Sequence, residues 1–492
     1  MPDSSWFPKD YALDALEDEL ESLEALMPEL TDSDPMGSYF ERGLAGRRRK
    51  AAMTLTVVWS IVIGLHLVSW GIWVVLGLTF LMTLHAIRVL TARPDPLPEP
   101  LPSTGRPEDF PYVSILVSAK NEESVIKSLV KDLCNLDYPS DRYDLWVIDD
   151  YSTDRTPILL DQLVEEHPQL NVLHRTADAQ GGKSGALNQA YVLTKGDIIA
   201  VFDADAQVPP DLLRRALPLF QRENVGAVQV QKAIAQATRT DGSEKNFWIR
   251  GQVAEMALDS YFQQQRTAIG GIGELRGNGQ FVRRTAIDHC GGWNEQTITD
   301  DLDLTIRLHL NRWDVDFLVF PAVEEEGVTR AIALWHQRNR WAEGGYQRYL
   351  DYWRLIVRNR MGMHKTIDLF MFWLTQYILP TAAIPDFLMA IARSSSPILN
   401  PVAGLVLSMS LIGMFQGIWR TQVQLQGRKP SIQVVFSTFV QTLRGLVYMA
   451  HWFAIVASTT ARISVRPKRL KWVKTIHQGS DDLWLDVQEQ SQ

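Results

Sequence analysis

A short apolar segment that ends in two aspartates constrains the fold of this chain more than any other feature. Residues 198–202 read Ile-Ile-Ala-Val-Phe, which is typical of a buried strand. Asp203 and Asp205 follow, and alternation along an extended strand would place both carboxylates on one face. Adjacent carboxylates repel unless a cation lies between them, and Mg²⁺ or Mn²⁺ commonly takes one or two carboxylates plus phosphate oxygens. The segment predicts a metal and a diphosphate at a sheet edge; a plain Asp-rich turn is the alternative.

Composition narrows the class of protein. The chain has 492 residues, enough for two or three domains, and a net charge of −8, which argues against a nucleic-acid partner. Its 16 tryptophans suit contact with a bilayer interface. The two cysteines, Cys134 and Cys290, give neither a disulfide framework nor a metal cluster.

The N-terminal part predicts an arm, a membrane hairpin and a linker. Residues 1–46 are acidic and predict a mostly disordered arm, with no apolar stretch after Met1 that would indicate a cleaved signal peptide. Residues 47–92 begin with a basic cluster and continue as an apolar run long enough for two transmembrane helices; one long tilted span plus an interfacial piece is the alternative. The basic cluster is expected on the cytoplasmic side. Residues 93–110 form a Pro-rich linker.

Apolar runs return near the C-terminus. Residues 331–365 predict interfacial helices, and residues 366–458 contain three apolar runs that predict transmembrane helices. The basic tail at 459–492 should be cytoplasmic, yet two plus three spans would place it outside. We therefore expect an even number of spans: either the count is wrong by one elsewhere, or the segment around Arg444 lies at the interface or re-enters the membrane.

Residues 111–330 alternate strand-like and helix-like segments, which predicts a doubly wound, mostly parallel α/β sheet. Ligands bind such sheets beyond the carboxyl ends of the strands. Residues with side chains suited to a nucleotide diphosphate follow those ends: Lys120, Glu122, Asp149, Asp150, Asp203 and Asp205. Lys183 opens a later helix without the spacing of a P-loop, so the turn before it either holds phosphate or is a glycine turn capped by Ser184.

Three further motifs lie downstream. A Gly-rich turn contains Gly277, Asn278 and Gly279. Asp300 and Asp301 follow Thr299 at the start of a helix, where capping and the helix dipole account for Thr299 and Asp300 but do not require a further aspartate. A carboxylate beside a metal site is also a candidate general base. The last motif contains Gln337, Arg340 and Trp341 directly before the C-terminal apolar runs.

These motifs, in this order, resemble the inverting, membrane-bound, nucleotide-sugar glycosyltransferases of the cellulose and hyaluronan synthase family. The resemblance implies a GT-A domain flanked by membrane helices. Four motifs carry it: Asp150; Asp203-Ala204-Asp205; Thr299-Asp300-Asp301; and Gln337-Arg338-Asn339-Arg340-Trp341. It implies that Asp150 contacts uridine and that Asp203 and Asp205 handle the diphosphate and the metal. It implies that Asp301 is the base, with Asp300 a catalytic candidate beside it. Of the last motif, Gln337, Arg340 and Trp341 would line the acceptor end and steady the diphosphate. Asp300 stands where many members of the family have Glu.

Resemblance to members that glucosylate diacylglycerol extends further, through residues 182–189, 274–284 and 464–474. It implies UDP-glucose as donor, diacylglycerol as acceptor, Mg²⁺ or Mn²⁺ as cofactor and a β-linked glucolipid as product. It also implies an integral membrane protein of a cyanobacterial plasma or thylakoid membrane with a cytoplasmic catalytic domain. A processive polysaccharide synthase and a non-catalytic sugar-nucleotide-binding membrane protein are the alternatives. The sequence does not indicate the oligomeric state.

Overall fold

A computed structural model describes residues 46–237, 245–425 and 427–465. Apart from Gly46, the acidic arm lies outside this range, and so do residues 466–492 of the basic tail. The linker at 93–110 is largely irregular, with a single 3₁₀ turn at Pro107–Asp109. The backbone N–H of Leu101 in this linker donates to the carbonyl of Arg214, so the linker packs along the domain that follows.

Seven strands form one sheet in the described part of the chain. They are β1 (Val113–Ala119), β2 (Tyr143–Asp149), β3 (Leu170–His174), β4 (Ile198–Asp203), β5 (Val225–Ile234), β6 (Gln280–Arg283) and β7 (Asp314–Glu325). Their order is β3-β2-β1-β4-β6-β5-β7. Strand β6 runs antiparallel to β4 and β5, and the other pairs are parallel. The sheet is therefore mostly parallel, as the sequence predicted.

Helices cover both faces of this sheet and continue into an apolar bundle. They are α1 (Arg47–Leu67), α2 (Gly71–Leu90), α3 (Ile126–Cys134), α4 (Thr156–Glu166), α5 (Gly182–Tyr191), α6 (Leu212–Ala216), α7 (Phe247–Ala268), α8 (Arg284–Cys290), α9 (Asp300–Leu310), α10 (Ala331–Val357), α11 (Met363–Trp373), α12 (Leu379–Ala392), α13 (Asn400–Arg420) and α14 (Ile432–Val465). A π-helical turn at Leu374–Ile378 joins α11 to α12.

The central strands are apolar on both faces because each face meets its own helices. In β4, Ala200 and Phe202 belong to one hydrophobic core, whereas Ile199 and Val201 belong to the core on the opposite face. Alternation along β1 divides its side chains in the same way, with Leu116 in the second core. The strands are thereby fixed in the interior, and only their ends are available for chemistry.

Four helices in the described range are long and apolar enough to cross a membrane. They are Arg47–Leu67, Gly71–Leu90, Met363–Ala392 and Asn400–Val423. Helix α14, which contains Arg444, is not one of the four. Residues 331–357 form the single helix α10, which contacts α9, α14 and α1.

Candidate active site

A cavity of about 670 Å³ opens beyond the carboxyl end of β4 and extends to the candidate membrane spans. Most residues singled out in the sequence line it: Glu122, Lys183, Asp203, Asp205, Gly277, Asp300, Asp301, Gln337, Arg340 and Trp341. Five others lie outside its lining: Lys120, Asp149, Asp150, Asn278 and Gly279. The cavity thus brings together side chains that are far apart in the sequence, from Glu122 to Trp341, because the folded domain places the ends of its strands side by side.

Asp203 and Asp205 both line the cavity, but not through strand alternation as predicted. Strand β4 ends at Asp203, and Ala204 and Asp205 form a turn in which the N–H of Ala206 donates to the carbonyl of Asp203 at 3.1 Å. The turn is possible because Ala204 is small and packs into the core. Asp205 Oδ2 accepts a hydrogen bond from the backbone N–H of Glu326 at 3.3 Å, which anchors its carboxylate at the end of β7.

Lys183 donates from Nζ to Asp203 Oδ1 at 2.5 Å. Burial lowers the pKa of Lys183, but the charges of Asp203, Asp300 and Asp301 outweigh it and raise that pKa. Burial also raises the pKa of Asp203, and Lys183 outweighs it, so the net shift is downward. The two groups are therefore an ion pair at neutral pH, and Lys183 faces the carboxylates.

The turn before α5 contains no side-chain cap. Gly181 occupies the N-cap position with φ +82°, and no side chain caps the helix, so the reading of Ser184 as the cap is wrong. The positive φ disfavours any side chain at Gly181, and a Cβ there would also lie 2.9 Å from the backbone Cα of Gly185, which explains the need for glycine. The helix start, which no side chain caps, and Lys183 are consistent with the phosphate-binding alternative.

Asp301 and Asp203 face each other across Gly277. A Cβ built on Gly277 would lie 3.6 Å from Asp301 Oδ2 and 3.8 Å from Asp203 Oδ2. Burial is the largest cause that raises the pKa of Asp301, the charge of Asp300 adds to it, and the result is about 6. The Asp301 carboxyl can therefore hold or release a proton near neutral pH, as a general base requires.

Thr299 occupies the N-cap position of α9 without capping it. Its hydroxyl makes no hydrogen bond within the described residues, so the capping reading of Thr299 is wrong. A Cβ at Gly344 of α10 would lie 2.4 Å from Thr299 Oγ1, so Thr299 packs against the bare backbone of α10. This contact sets the distance between the start of α9 and the helix that carries Gln337, Arg340 and Trp341.

Asp149 and Asp150 have different environments. Arg175 donates from Nη1 to Asp150 Oδ1 at 2.5 Å, and Lys120 Nζ lies 3.5 Å from Asp150 Oδ2. Asp149 is buried, and its two oxygens accept from the Ser152 backbone at 3.1 Å and contact His174 Nδ1 at 3.1 Å. Asp149 shapes the turn after β2, whereas Asp150 is held at the sheet edge.

Asn278 and Gly279 support the site from behind. Asn278 is fully buried, and its Oδ1 accepts from the backbone N–H of Asp203 at 3.3 Å. Gly279 has φ +74°, and its N–H donates to the carbonyl of Val201 at 3.1 Å. In this structure, of the three turn residues, only Gly277 lines the cavity.

The motif on α10 presents Gln337, Arg340 and Trp341 to the cavity. Burial lowers the pKa of Arg340, while the charges of Asp203, Asp301 and Asp300 act in the opposite direction, which places this guanidinium near all three carboxylates. Arg338, which the sequence reading assigned no role, lies 4.0 Å over the Trp341 ring and donates to Glu255 at 2.6 Å. It fixes Trp341 against α7.

Sequence reasoning missed the contribution of β5 and α7. Lys232 of β5 lines the cavity, pairs with Glu325 at 3.2 Å and lies 5.5 Å over the Trp341 ring. Helix α7 adds Glu255, Asp259, Phe262 and Arg266. Their spacing of four, three and four residues places them on one helix face. The sequence shows this spacing, but the same pattern is typical of an ordinary solvent-exposed helix face.

The far end of the cavity is apolar and lies between membrane-type helices. Met82, His85 and Val89 line it from one face of α2. Other lining residues come from the segment that spans α11 to α12 and from α13, namely Met371, Phe372, Thr375, Gln376, Val406, Met409 and Ser410. One cavity therefore joins a carboxylate-rich end at the sheet to an apolar end at candidate membrane spans.

No group of three or more His, Cys, Asp or Glu side chains in the described residues could by itself hold a metal ion. Asp203 and Asp205 offer hard carboxylate oxygens, and Mg²⁺ or Mn²⁺ typically needs only one or two from the protein when phosphate and water supply the rest. The residues present fit that type of site.

The chain is similar to proteins of a known family over most of its length. Residues 111–344 match the family model described as "Glycosyltransferase like family 2". The chain is 57% identical over 487 residues to a protein of Trichormus variabilis named beta-monoglucosyldiacylglycerol synthase, covering 98% of this chain and 100% of that one. A protein of the same name from Synechocystis is 53% identical over 489 residues, covering 99% and 100%. A solved mannosyltransferase of Pyrobaculum calidifontis, in complex with GDP-Man and Mn²⁺, is 21% identical with a TM-score of 0.48, covering 80% of this chain and 98% of that one.

The mostly parallel sheet, the cavity at its strand ends and the matched domain define a glycosyltransferase with a GT-A domain set against apolar helices. The two beta-monoglucosyldiacylglycerol synthases match this chain over nearly its whole length, including the regions outside the matched domain. The chain belongs to the family of beta-monoglucosyldiacylglycerol synthases.

Proposed function

We propose that this enzyme transfers glucose from UDP-glucose to the free hydroxyl of diacylglycerol, with inversion at the anomeric carbon. The observation that carries the proposal is the single cavity that joins Asp301 and Asp203 to apolar side chains of α2, α11 and α13. Diacylglycerol leaves a bilayer only at a high cost, about 0.8 kcal/mol per methylene. An enzyme that acts on its hydroxyl must therefore bring the base to the membrane plane. The name of the full-length relatives supports the same acceptor and sugar.

The donor is expected at the sheet end of the cavity. Asp150, held by Arg175 and Lys120, is the proposed contact for uridine. Lys183 and Arg340 are the cations that face the carboxylates, and they are placed to attract a diphosphate. Because Lys183 pairs with Asp203 in this structure, donor binding is expected to exchange that ion pair for contacts with phosphate.

We propose Asp203 and Asp205 as the ligands of a divalent metal, Mg²⁺ or Mn²⁺. When bound, such an ion neutralises charge on the departing diphosphate. Asn278 holds the backbone of Asp203, and the Glu326 N–H holds the Asp205 carboxylate, so the positions of both residues are supported before the donor binds. Activity that persists after exhaustive chelation and dialysis would contradict this assignment.

The chemistry assigned to this chain is a single displacement. Asp301 accepts the proton of the diacylglycerol hydroxyl as its oxygen forms a bond to the anomeric carbon. The bond from that carbon to the diphosphate oxygen breaks on the opposite face, and its electron pair leaves with UDP. Lys183 and Arg340 stabilise the charge that develops there. An α-linked donor thus gives a β-linked product.

We propose a catalytic domain on the cytoplasmic side of a plasma or thylakoid membrane. The basic residues Arg47, Arg48, Arg49 and Lys50 begin the first candidate span, and such clusters remain cytoplasmic. Four candidate spans return the chain to the side on which it started, which agrees with the charge rule for the basic tail.

The test is a transfer assay with the full-length chain in lipid nanodiscs that contain diacylglycerol. Radiolabelled UDP-glucose should yield a chloroform-soluble labelled lipid from which a β-glucosidase releases labelled glucose. EDTA should abolish formation of this lipid until Mg²⁺ or Mn²⁺ is restored. A long insoluble polymer would instead identify a polysaccharide synthase. Absence of any labelled product would leave only sugar-nucleotide binding.

A further inference from the structure

A network of buried charges lies where the cavity passes from the sheet to the membrane helices. Glu274 is at its centre, 2.6 Å from Arg348 Nη1, 2.7 Å from Arg276 Nη2 and 3.6 Å from Arg266 Nη1. Burial would raise the pKa of Glu274, but the charges of Arg348, Arg276 and Arg266 lower it to about 2. Glu274 is therefore permanently ionised, and the network does not act as a proton donor.

Only one edge of the Arg266 guanidinium is hydrogen-bonded within the described residues. Nε donates to Asp368 Oδ2 at 2.9 Å, and the guanidinium carbon lies 4.3 Å from the centre of the Phe372 ring. Nη1 is beyond hydrogen-bond distance of Glu274, and buried Nη2 has no hydrogen-bond partner in the described part of the chain. Arg266 is 5% exposed and lines the cavity. A buried donor without an acceptor is costly, so this edge favours a ligand that accepts hydrogen bonds.

The charge balance around Arg266 favours a neutral acceptor over an anion. Three carboxylates match the three arginines of the network, since Glu274 is joined by Asp368 at Arg266 and by Asp259, 2.7 Å from Arg276 Nη2. The diphosphate-binding cations, Lys183 and Arg340, face the carboxylates of the sheet end instead. A carbonyl oxygen is a neutral acceptor that a guanidinium can satisfy without a surplus of negative charge.

The position of Arg266 matches the middle of an acceptor lipid. Phe372, which stacks on Arg266, and Met82 and Met409, which line the same cavity, come from three candidate spans and offer apolar walls for acyl chains. The base, Asp301, is in the same cavity, and its charge acts on Arg276, the next arginine along the network. In diacylglycerol the two ester groups are the only polar groups between the free hydroxyl and the chains, and their carbonyl oxygens are the stronger hydrogen-bond acceptors.

We infer that the Nη edge of Arg266 donates a hydrogen bond to an ester carbonyl of the acceptor and makes the enzyme selective for ester-linked over ether-linked diglycerides. The inference rests on the proposed function and adds a specificity-determining contact to it. An ether oxygen lies in the chain and cannot reach the donor as a carbonyl does, so the buried guanidinium stays unsatisfied when an ether lipid binds.

The experiment compares 1,2-dioleoylglycerol with its dioleyl ether analogue at equal mole fractions in nanodiscs with the full-length enzyme. We expect kcat/KM to be about tenfold higher for the ester in the wild type, since a charge-assisted hydrogen bond is worth about that factor or more. Arg266→Met should reduce the ratio towards one while KM for UDP-glucose is unchanged. Arg307→Met is the matched control, because Arg307 is equally buried and ion-paired, to Asp303, but does not line the cavity.

A wild-type ratio near one, or an Arg266→Met enzyme that keeps the tenfold ratio, would overturn the inference and leave the proposed function intact. If neither lipid is glucosylated by the wild type, the proposed function itself fails. Should Arg266→Met not fold, Arg266→Lys keeps the charge beside Asp368 without the planar fork, and the ratio should still fall. The Arg307→Met enzyme should retain the full ratio even with lower thermal stability.

Discussion

The environment of the Asp301 carboxyl sets the pH at which this group gains or loses its proton. Burial and the neighbouring charge of Asp300 raise the pKa of Asp301 to about 6. A general base works only when deprotonated, so kcat/KM should rise with pH through about 6 and level off above it. In Asp300→Asn the neighbouring charge is gone, and the midpoint should move to lower pH. A midpoint that stays in place or moves upward would show that Asp300 does not act on this group.

Removal of the Asp301 carboxylate tests the base directly. Asp301→Asn keeps the shape of the side chain, so UDP affinity measured by calorimetry should be nearly unchanged. Turnover should fall by about 10²- to 10⁴-fold, the usual contribution of a positioned base. Asp141→Asn makes the same chemical change at an exposed position outside the cavity and should leave both quantities as in the wild type. Wild-type turnover in Asp301→Asn would remove this residue from the mechanism.

Gly277 allows a test of the space between the two carboxylates. With φ +83°, Gly277→Ala should cost about 1–2 kcal/mol of backbone strain. Its methyl group would also stand 3.6 Å from Asp301 Oδ2 and 3.8 Å from Asp203 Oδ2, where the donor must enter. Gly291→Ala carries a similar strain at φ +73° with nothing within 4 Å of the new methyl. Thermal unfolding should shift alike in both variants, and only Gly277→Ala should lose activity. Equal activity in the two would mean that the cleft between the carboxylates is not used.

Among the elements, those with a strong local pattern could be predicted and those defined by tertiary contacts could not. Apolar runs predict the buried strands β1 and β4, and Asp203 lies at the end of β4 as expected. The end of β4 was misjudged because a turn after Asp203, held by core packing of Ala204, replaces the last extended residues. Helix α7 was missed as a site element because its charged face meets the cavity only through the packing of α13 and α14 against it.

The contact between α7 and α13 depends on glycine. A Cβ at Gly417 would lie 2.1 Å from the backbone carbonyl oxygen of Ala257, which cannot move aside as a side chain can. Gly417→Ala should therefore push α13 from α7 and cost about 1–3 kcal/mol, seen as a lower unfolding temperature in detergent. Gly404→Ala, on the same helix with nothing within 4 Å, should be neutral or stabilising, because alanine is the better helix former. Equal unfolding temperatures for the two variants would contradict close packing at this crossing.

At the scale of the whole molecule, the site depends on how the sheet domain is seated on the apolar helices. Nothing in the local sequence indicates which helix face meets which. The contacts that decide it are pairs far apart in the chain, such as His85 with Asp368 and Arg88 with the Ile269 carbonyl. These contacts align the apolar end of the cavity with its carboxylate end.

The pair formed by Arg47 and Asp351 is the sharpest test of that seating. Arg47 begins α1, and its Nε and Nη2 donate to the two oxygens of Asp351 on α10 at 2.8 and 2.5 Å. Both residues are buried, and neither lines the cavity. Removal of one partner leaves a buried charge, so Arg47→Leu and Asp351→Leu should each cost about 3–5 kcal/mol.

The double variant should recover most of that loss, because an apolar pair often replaces a buried ion pair at little cost. Thermal unfolding in one detergent, over the four members of the cycle, measures the coupling. The folded fraction of each should keep the wild-type kcat, since the pair seats the domain without touching substrate. Strictly additive losses of stability in the double variant would mean that α1 is not joined to α10 through this contact. A fall in kcat in a fully folded variant would mean that the position of α10 relative to the membrane also sets the rate of transfer.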